Sequence, residues 1–182
     1  MHKTMMVNQI NRVVVKVGSS SIINENSQSI IKNRMLSIAE DICWLTQDHN
    51  KQVILMSSGA LAWGRVQMTA AGISKECQKN QQIAGACGQI GVSASWEDSL
   101  RKYNLVTGQL LLAPRDLSSD FVCNSILSML KNNVVPYINE NIPTFEQYDN
   151  DGLAAEVALK TNCDTLILLS DVAGVYSSNP KT

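Results

Sequence analysis

The sequence predicts an α/β fold, a mostly parallel central sheet sandwiched between helices, on three observations. Short apolar runs recur along the chain, and most are followed by ten or more residues at helical spacing. Strands joined by such long connections pair in parallel through crossovers rather than through hairpins. The runs themselves are near-continuously apolar, as in Arg12-Val-Val-Val-Lys-Val17, which is the pattern of strands covered on both faces. The chain has 182 residues, 45% of them apolar and 17% charged, so one ordinary core suffices and no staple is needed.

Each element follows from its pattern. Arg12 to Val17 is the first strand, ended by Gly18. Ser29 to His49 sets Ile30, Ile31, Met35, Ile38, Ile42 and Leu45 on one helical face, with Lys32, Asn33, Glu40 and Asp41 between them. Gln52 to Met56 is the second strand, followed by Ser57-Ser58-Gly59. Helices are expected over Ala60–Ala71 and Gln78–Tyr103, the second rich in small residues. A third strand runs over Leu105–Leu112 and a helix over Ser118–Asn132, with Ser118 or Ser119 as cap. Asn133–Ile138, a helix over Asp151–Thr161 and a strand over Asp164–Leu169 complete the series. The polar stretch from Asn139 to Asn150 is read as a small hairpin or lid.

Composition excludes several classes. The net charge of -1 offers no electropositive surface for nucleic acid. No segment approaches the roughly 18 apolar residues of a membrane span, and residues 1–11 read as a polar tail without the apolar run of a leader peptide. The five cysteines form no C-x-x-C pair and read as free thiols, most of them small buried apolar groups, in a reducing cytoplasm. His2 and His49 have no partner at metal-ligand spacing, so no metal ligand is assigned and a histidine triad is set aside.

In parallel sheets ligands bind beyond the carboxyl ends of the strands. Those points carry Gly18-Ser19-Ser20-Ser21, Ser57-Ser58-Gly59, Asn139-Glu140-Asn141 and Ser170-Asp171, a recurring set of small, hydroxyl and amide residues. Hydroxyls and open N–H groups at helix starts bind anions, so these points are expected to form one site. Lys16 interrupts an apolar strand: either it snorkels from a sheet edge to water, or it meets a fixed anion at the strand end, and the glycine that follows favours the second. Asp149-Asn150-Asp151 reads as a helix cap, as a magnesium-holding pair or as a partner for Lys16. No G-x-x-x-x-G-K-[ST], no G-x-G-x-x-G after the first strand and no H-R-D pattern occurs, against P-loop, dinucleotide and protein-kinase chemistry. Gly85, Gly88 and Gly91, three apart within one predicted helix, are expected to serve close helix packing.

Together these residues carry a resemblance. Val14-Val-Lys-Val-Gly-Ser-Ser20, Met56-Ser-Ser-Gly-Ala60 with Gly64, and Gln82-Ile-Ala-Gly-Ala-Cys-Gly-Gln89 resemble the glutamate 5-kinases of the amino acid kinase superfamily. So do Gly108–Leu112, Asn133-Val-Val-Pro-Tyr-Ile-Asn-Glu-Asn141, Asp149-Asn-Asp-Gly-Leu153 and Leu168-Leu-Ser-Asp-Val172, in the family's order. The resemblance implies an amino acid kinase-like fold and ATP- and Mg2+-dependent phosphorylation of the side-chain carboxylate of L-glutamate, the first step of proline synthesis. The alternatives are another small amino or organic acid as substrate, or an inactive binding module. The resemblance also implies roles: Lys16 and Asp151 catalytic; Ser58, Gly59, Asn139, Asp149 and Asn150 on the amino acid; Lys16, Gly18, Ser19, Ser170 and Asp171 on the nucleotide. It further implies a homo-oligomer, with the 78–103 helix as candidate interface. Residues 12–182 are expected to form about the first two-thirds of such a kinase domain, without its nucleotide-binding C-terminal part. One position departs: Ile142 stands where the family has an aspartate for the substrate amino group, and the segment after Asn139 is shorter.

Overall fold

The computed structural model describes residues 10–24, 26–142 and 150–170. The element order is β1 (Arg12–Val17), α1 (Ser19–Ile22), β2 (Ile23–Asn24), β3 (Ser29–Ile30), α2 (Lys32–Cys43), β4 (Gln52–Ser57), α3 (Ala60–Ala70), α4 (Lys75–Lys79), α5 (Gln81–Arg101), β5 (Val106–Leu112), α6 (Asp120–Lys131), β6 (Val134–Glu140), α7 (Asn150–Lys160) and β7 (Thr165–Leu169). Five strands form one sheet in the order β5-β6-β4-β1-β7, and every pairing in it is parallel. β2 and β3 make a separate two-stranded antiparallel hairpin.

Strand alternation divides the core into two layers. Val13, Val15 and Val17 of β1, Val53 and Leu55 of β4, and Val135 and Tyr137 of β6 face α2 and α5, where Met35, Ile42, Trp96 and Leu100 meet them. Val14, Ile54, Met56 and Ile138 point the other way, onto Ile126 and Leu130 of α6 and Leu153 and Val157 of α7. Consecutive valines on β1 are thus both buried, because the strand has a helical layer on each side.

Beyond shifts of one or two residues at strand and helix ends, the boundaries that differ from the sequence reading do so for local reasons. The helix expected from Ser29 begins at Lys32, because Ser29 and Ile30 are drawn into the hairpin with Ile23 and Asn24; it then ends in a π-helical turn over Trp44–Asp48. The 78–103 helix is two helices: Ser74 caps α4 by accepting from the Cys77 N–H, and Asn80 caps α5 by accepting from the Ile83 N–H. A 3-10 turn, Pro114–Ser118, precedes α6. Ser119 occupies the N-cap position of α6 but makes no side-chain capping bond, and the Ser118 hydroxyl donates to the Arg115 carbonyl instead. The polar tail lies outside the described residues up to position 9, as do residues 143–149 of the expected lid.

The glycines of α5 serve packing. A Cβ on Gly88 would sit 1.8 Å from the Ala60 carbonyl oxygen, and one on Gly64 would sit 1.7 Å from that of Ala84, so α3 and α5 touch backbone to backbone. Gly91 makes room for the Trp63 indole and Gly85 for the Ile142 side chain.

Candidate functional site at the carboxyl ends of the strands

A cleft of about 590 Å³ opens beyond the carboxyl ends of β1, β4 and β6. β1 lies inside the sheet and the chain leaves it in both directions, first to β4 on one side and later to β7 on the other. Such a divergence separates the loops and leaves a crevice. The loops after β1, β4 and β6 and the start of α7 line it.

Lys16 interrupts the apolar run that follows Arg12 in β1. β1 is flanked by β4 and β7, so the edge-strand alternative does not hold. Its side chain is 11% exposed and its Nζ is ion-paired with Asp151 at the start of α7. The pairing offsets the cost of placing an ammonium at the end of a covered strand, while Asp151, half-exposed, keeps one side of the pair in water.

Gly59 has φ +107°, and a Cβ there would meet Ile22 and Ile23 of the β1–β2 connection at 3.2–3.3 Å. Both conditions call for glycine. As the N-cap of α3 it has no side chain to cap with, so the first-turn amides of this 11-residue helix face the cleft that Gly59, Ala60, Leu61 and Ala62 line. A helix start of that kind accepts anions. The neighbouring Ser58 hydroxyl accepts from Asn150 Nδ2 at 3.2 Å, which ties the β4 loop to α7.

Asn139, 1% exposed, also lines the cleft. Its Oδ1 accepts from the Glu140 N–H at 2.8 Å and its Nδ2 donates to Gln89 Oε1 at 2.8 Å. Behind it lies a neutral buried network in which Trp96 Nε1 donates to Ser57 Oγ and Ser57 shares a hydrogen bond of 3.0 Å with Tyr137 Oη. Burial pushes the Tyr137 phenol above its ordinary value, with hydrogen bonds from Ser57, Ser93, Gln89 and Asn139 opposing the shift.

The structure therefore brings Lys16, Ser19, Ser58, Gly59, Asn139 and Asn150 to one cleft, with Asp151 on Lys16. Gly18 is adjacent, but its N–H donates to the Leu169 carbonyl at 2.9 Å and extends the β1–β7 pairing, so that N–H is committed to the sheet and not to an anion. Ser57, read from sequence as part of the same hydroxyl set, points into the core. Ser170 is exposed at the end of β7 and is not among the residues lining the cleft. Asp149 and Asp171 lie outside the described residues.

Glu140, named with its neighbours among the strand-end residues, lines the cleft as expected, whereas sequence reasoning missed Arg65 and Gln81. Arg65 lies six residues beyond Gly59 on α3 and reads from sequence as an ordinary surface cation. Among the described residues no group of three His, Cys, Asp or Glu side chains is placed to hold a metal ion, and no helix is long and apolar enough to cross a membrane.

The fold and the cleft define the class: an α/β protein whose parallel sheet places a helix start and a strand-end lysine at one cleft. A similar architecture is found in the UMP kinase of Bacillus anthracis, with a TM-score of 0.67 and 19% identity over 94% of this chain and 70% of that one. The chain belongs to the amino acid kinase family, whose sequence profile matches residues 11–182, and to its glutamate 5-kinase branch. It is 38% identical to the glutamate 5-kinase of Ruegeria sp. (strain TM1040) over 93% of this chain and 48% of that protein. It is 33% identical to that of Alkaliphilus metalliredigens over 97% of this chain and 69% of the relative. The chain spans about half the length of most of these curated relatives.

Proposed function

We propose that the cleft binds L-glutamate and that the chain works in ATP-dependent transfer of a phosphoryl group to the glutamate side-chain carboxylate. The observation that carries this is the Lys16–Asp151 pair at the end of a central strand, beside the open start of α3. Two anions that repel each other must be held in line for such a transfer. Catalysis is then mostly positioning and charge neutralisation, with no protein nucleophile. ATP supplies the transferred γ-phosphoryl group.

Lys16 neutralises charge at the transferring group, and Asp151 fixes the direction of its ammonium. The α3 amides, with Ser58, Gly59, Asn139 and Asn150, hold the amino acid, and Ser19 stands on the nucleotide side. A magnesium ion fits this donor set only as a companion of the phosphates. Mg2+ keeps several waters and needs one or two carboxylates; the described residues offer Glu140 at the cleft and Asp151 on Lys16, not a cage. The free thiols of Cys43, Cys77, Cys87, Cys123 and Cys163 suit a cytoplasmic site of action.

The test is an ATP- and magnesium-dependent hydroxamate assay across a panel of small acids, paired with calorimetric binding of L-glutamate. L-Glutamate is expected to be the best acceptor. A second reading, a different small carboxylate, is favoured by Ile142, an alkyl group on the cleft wall packed against Gly85. Higher turnover with an acid lacking the amino group would select that reading. Nucleotide binding, the C-terminal role of Ser170 and Asp171, and self-association through α5 are open to the same calorimetry and to sedimentation.

A further inference from the structure

We propose that Gln89, in the middle of α5, is a positioning residue that sets the orientation of Asn139 in the cleft. This rests on the glutamate reading of the cleft and adds a residue that does not line it.

The direction of every bond in the chain from Asn139 to β5 follows from one fixed donor. The Glu140 N–H is a backbone group and can only donate, so the Asn139 atom it meets is Oδ1. The other end of that amide is then Nδ2, a donor, and the Gln89 atom 2.8 Å away must be Oε1. Gln89 Nε2 accordingly donates to Ser93 Oγ at 2.9 Å. Ser93 spends its proton on the Gln89 backbone carbonyl at 2.8 Å, which leaves its oxygen to accept. It accepts a second time from Gln109 Nε2 on β5, at 2.8 Å. Asn139 is 1% exposed and Gln89 7%, so water does not substitute for these partners.

The consequence is chemical. A free asparagine amide presents either end to a ligand. Here one lone pair and one proton of the amide are already used, on opposite sides. What Asn139 still offers is one Oδ1 lone pair in a set orientation, its amide nitrogen being turned to Gln89 and to the burial-shifted Tyr137 hydroxyl. An α-amino acid carries the complement of that lone pair, an ammonium. Gln89 thereby acts on affinity for the amino acid and not on the phosphoryl-transfer step.

Gln89→Met keeps length and bulk and removes both amide bonds. The expected result in the intact chain is about tenfold weaker L-glutamate binding, the size of one lost hydrogen bond, with ATP binding unchanged. In an Asn139→Ala background the same substitution is expected to add nothing further, because its route of action is gone. Ser93→Ala, which leaves the Gln89–Asn139 bond in place and removes the support behind it, is expected to weaken binding about twofold to threefold and serves if the first variant does not fold. Equal glutamate affinity in the parent, Gln89→Met and Ser93→Ala proteins overturns the proposal, as does a full additive loss in the double variant.

A ligand-free measurement separates this from the glutamate reading. In side-chain amide NMR the Asn139 Nδ2 protons should be two resolved, slowly exchanging signals in the parent and exchange faster in Gln89→Met. Unchanged exchange overturns the positioning role whatever the cleft binds. Protected amide signals in a protein that ignores glutamate support the positioning and overturn the glutamate assignment alone.

Discussion

The two faces of the sheet are built differently. Toward α6 and α7 the core is hydrocarbon: Val14, Ile54, Met56 and Ile138 meet Ile126, Leu130, Leu153 and Val157, and charge appears at the strand ends, with Lys16 against Asp151. Toward α2 and α5 an equally buried core is threaded with neutral hydrogen bonds through Ser57, Tyr137, Trp96, Gln89 and Asn139. A hydrocarbon face holds the sheet together and tolerates any shape-filling set. A hydrogen-bonded face is costlier if any partner is missing, and it fixes the direction of each polar group. The cleft opens where the two meet, taking its charge from one face and its oriented amide from the other.

The largest expected effect is on the charge. Lys16→Met should lower turnover on the order of 10²–10³-fold, the scale of removing one preorganised charge donor. The melting temperature should stay close to that of the parent, since an apolar chain of similar length replaces an ion pair whose desolvation cost offsets much of its attraction. Rates measured on the purified variant, with a thermal melt on the same sample, check both halves.

Breaking the hydrocarbon face comes next. Leu153 is fully buried on α7, and Leu153→Ala should cost about 3 kcal/mol in chemical denaturation. Sharing a helix with Asn150 and Asp151, it should also loosen the cleft. Gly88→Ala tests the other face: its methyl would collide with the Ala60 carbonyl, so α3 and α5 must separate, at about 2–3 kcal/mol.

Smaller still is the loss of one hydrogen bond. Tyr137→Phe should cost about 1 kcal/mol at neutral pH. It also removes a pH dependence. The folded phenol titrates above its ordinary value of 10.0, so its contribution is complete below that pH and fades as the pH climbs through the folded value. Alkaline unfolding of Tyr137→Phe should therefore be less steep than that of the parent.

The smallest effect lies away from both faces. Asp164 Oδ2 accepts from the Arg12 and Asn11 N–H groups at 2.9 and 2.7 Å, which holds its carboxyl below the ordinary 3.8. That contribution is present above pH 3.8 and disappears as the pH falls through the folded value. Asp164→Asn should lower stability slightly in the neutral region, leave it nearly unchanged below the folded value, and so flatten the acid limb of a stability-against-pH curve.

Much of this was legible in the residues because it depends on local chemistry. The β-branched run around Lys16, the small residues after each strand and the helical spacing of 29–49 reflect short-range rules, and so the parallel sheet and the strand-end cleft could be inferred. Ser57 and Ser58 mark where that reasoning stops. They are adjacent and chemically identical, yet a strand sends neighbours to opposite sides, so one hydroxyl enters the core and the other the cleft. Gly18 is similar: its N–H looked available until β7, far along the chain, arrived to accept it. Arg65 was not singled out because nothing in α3 alone shows that its start opens onto the loops of β1 and β6.

The sequence alone determined the layer order, the family resemblance and the one strand-borne ammonium, since a charge in an apolar run is conspicuous whatever surrounds it. Only the tertiary structure decided which aspartate answers that charge, which of two serines faces the cleft, and that a glutamine 50 positions away orients Asn139. Those are choices of direction and partner across the chain, and they exist only once distant segments are packed against each other.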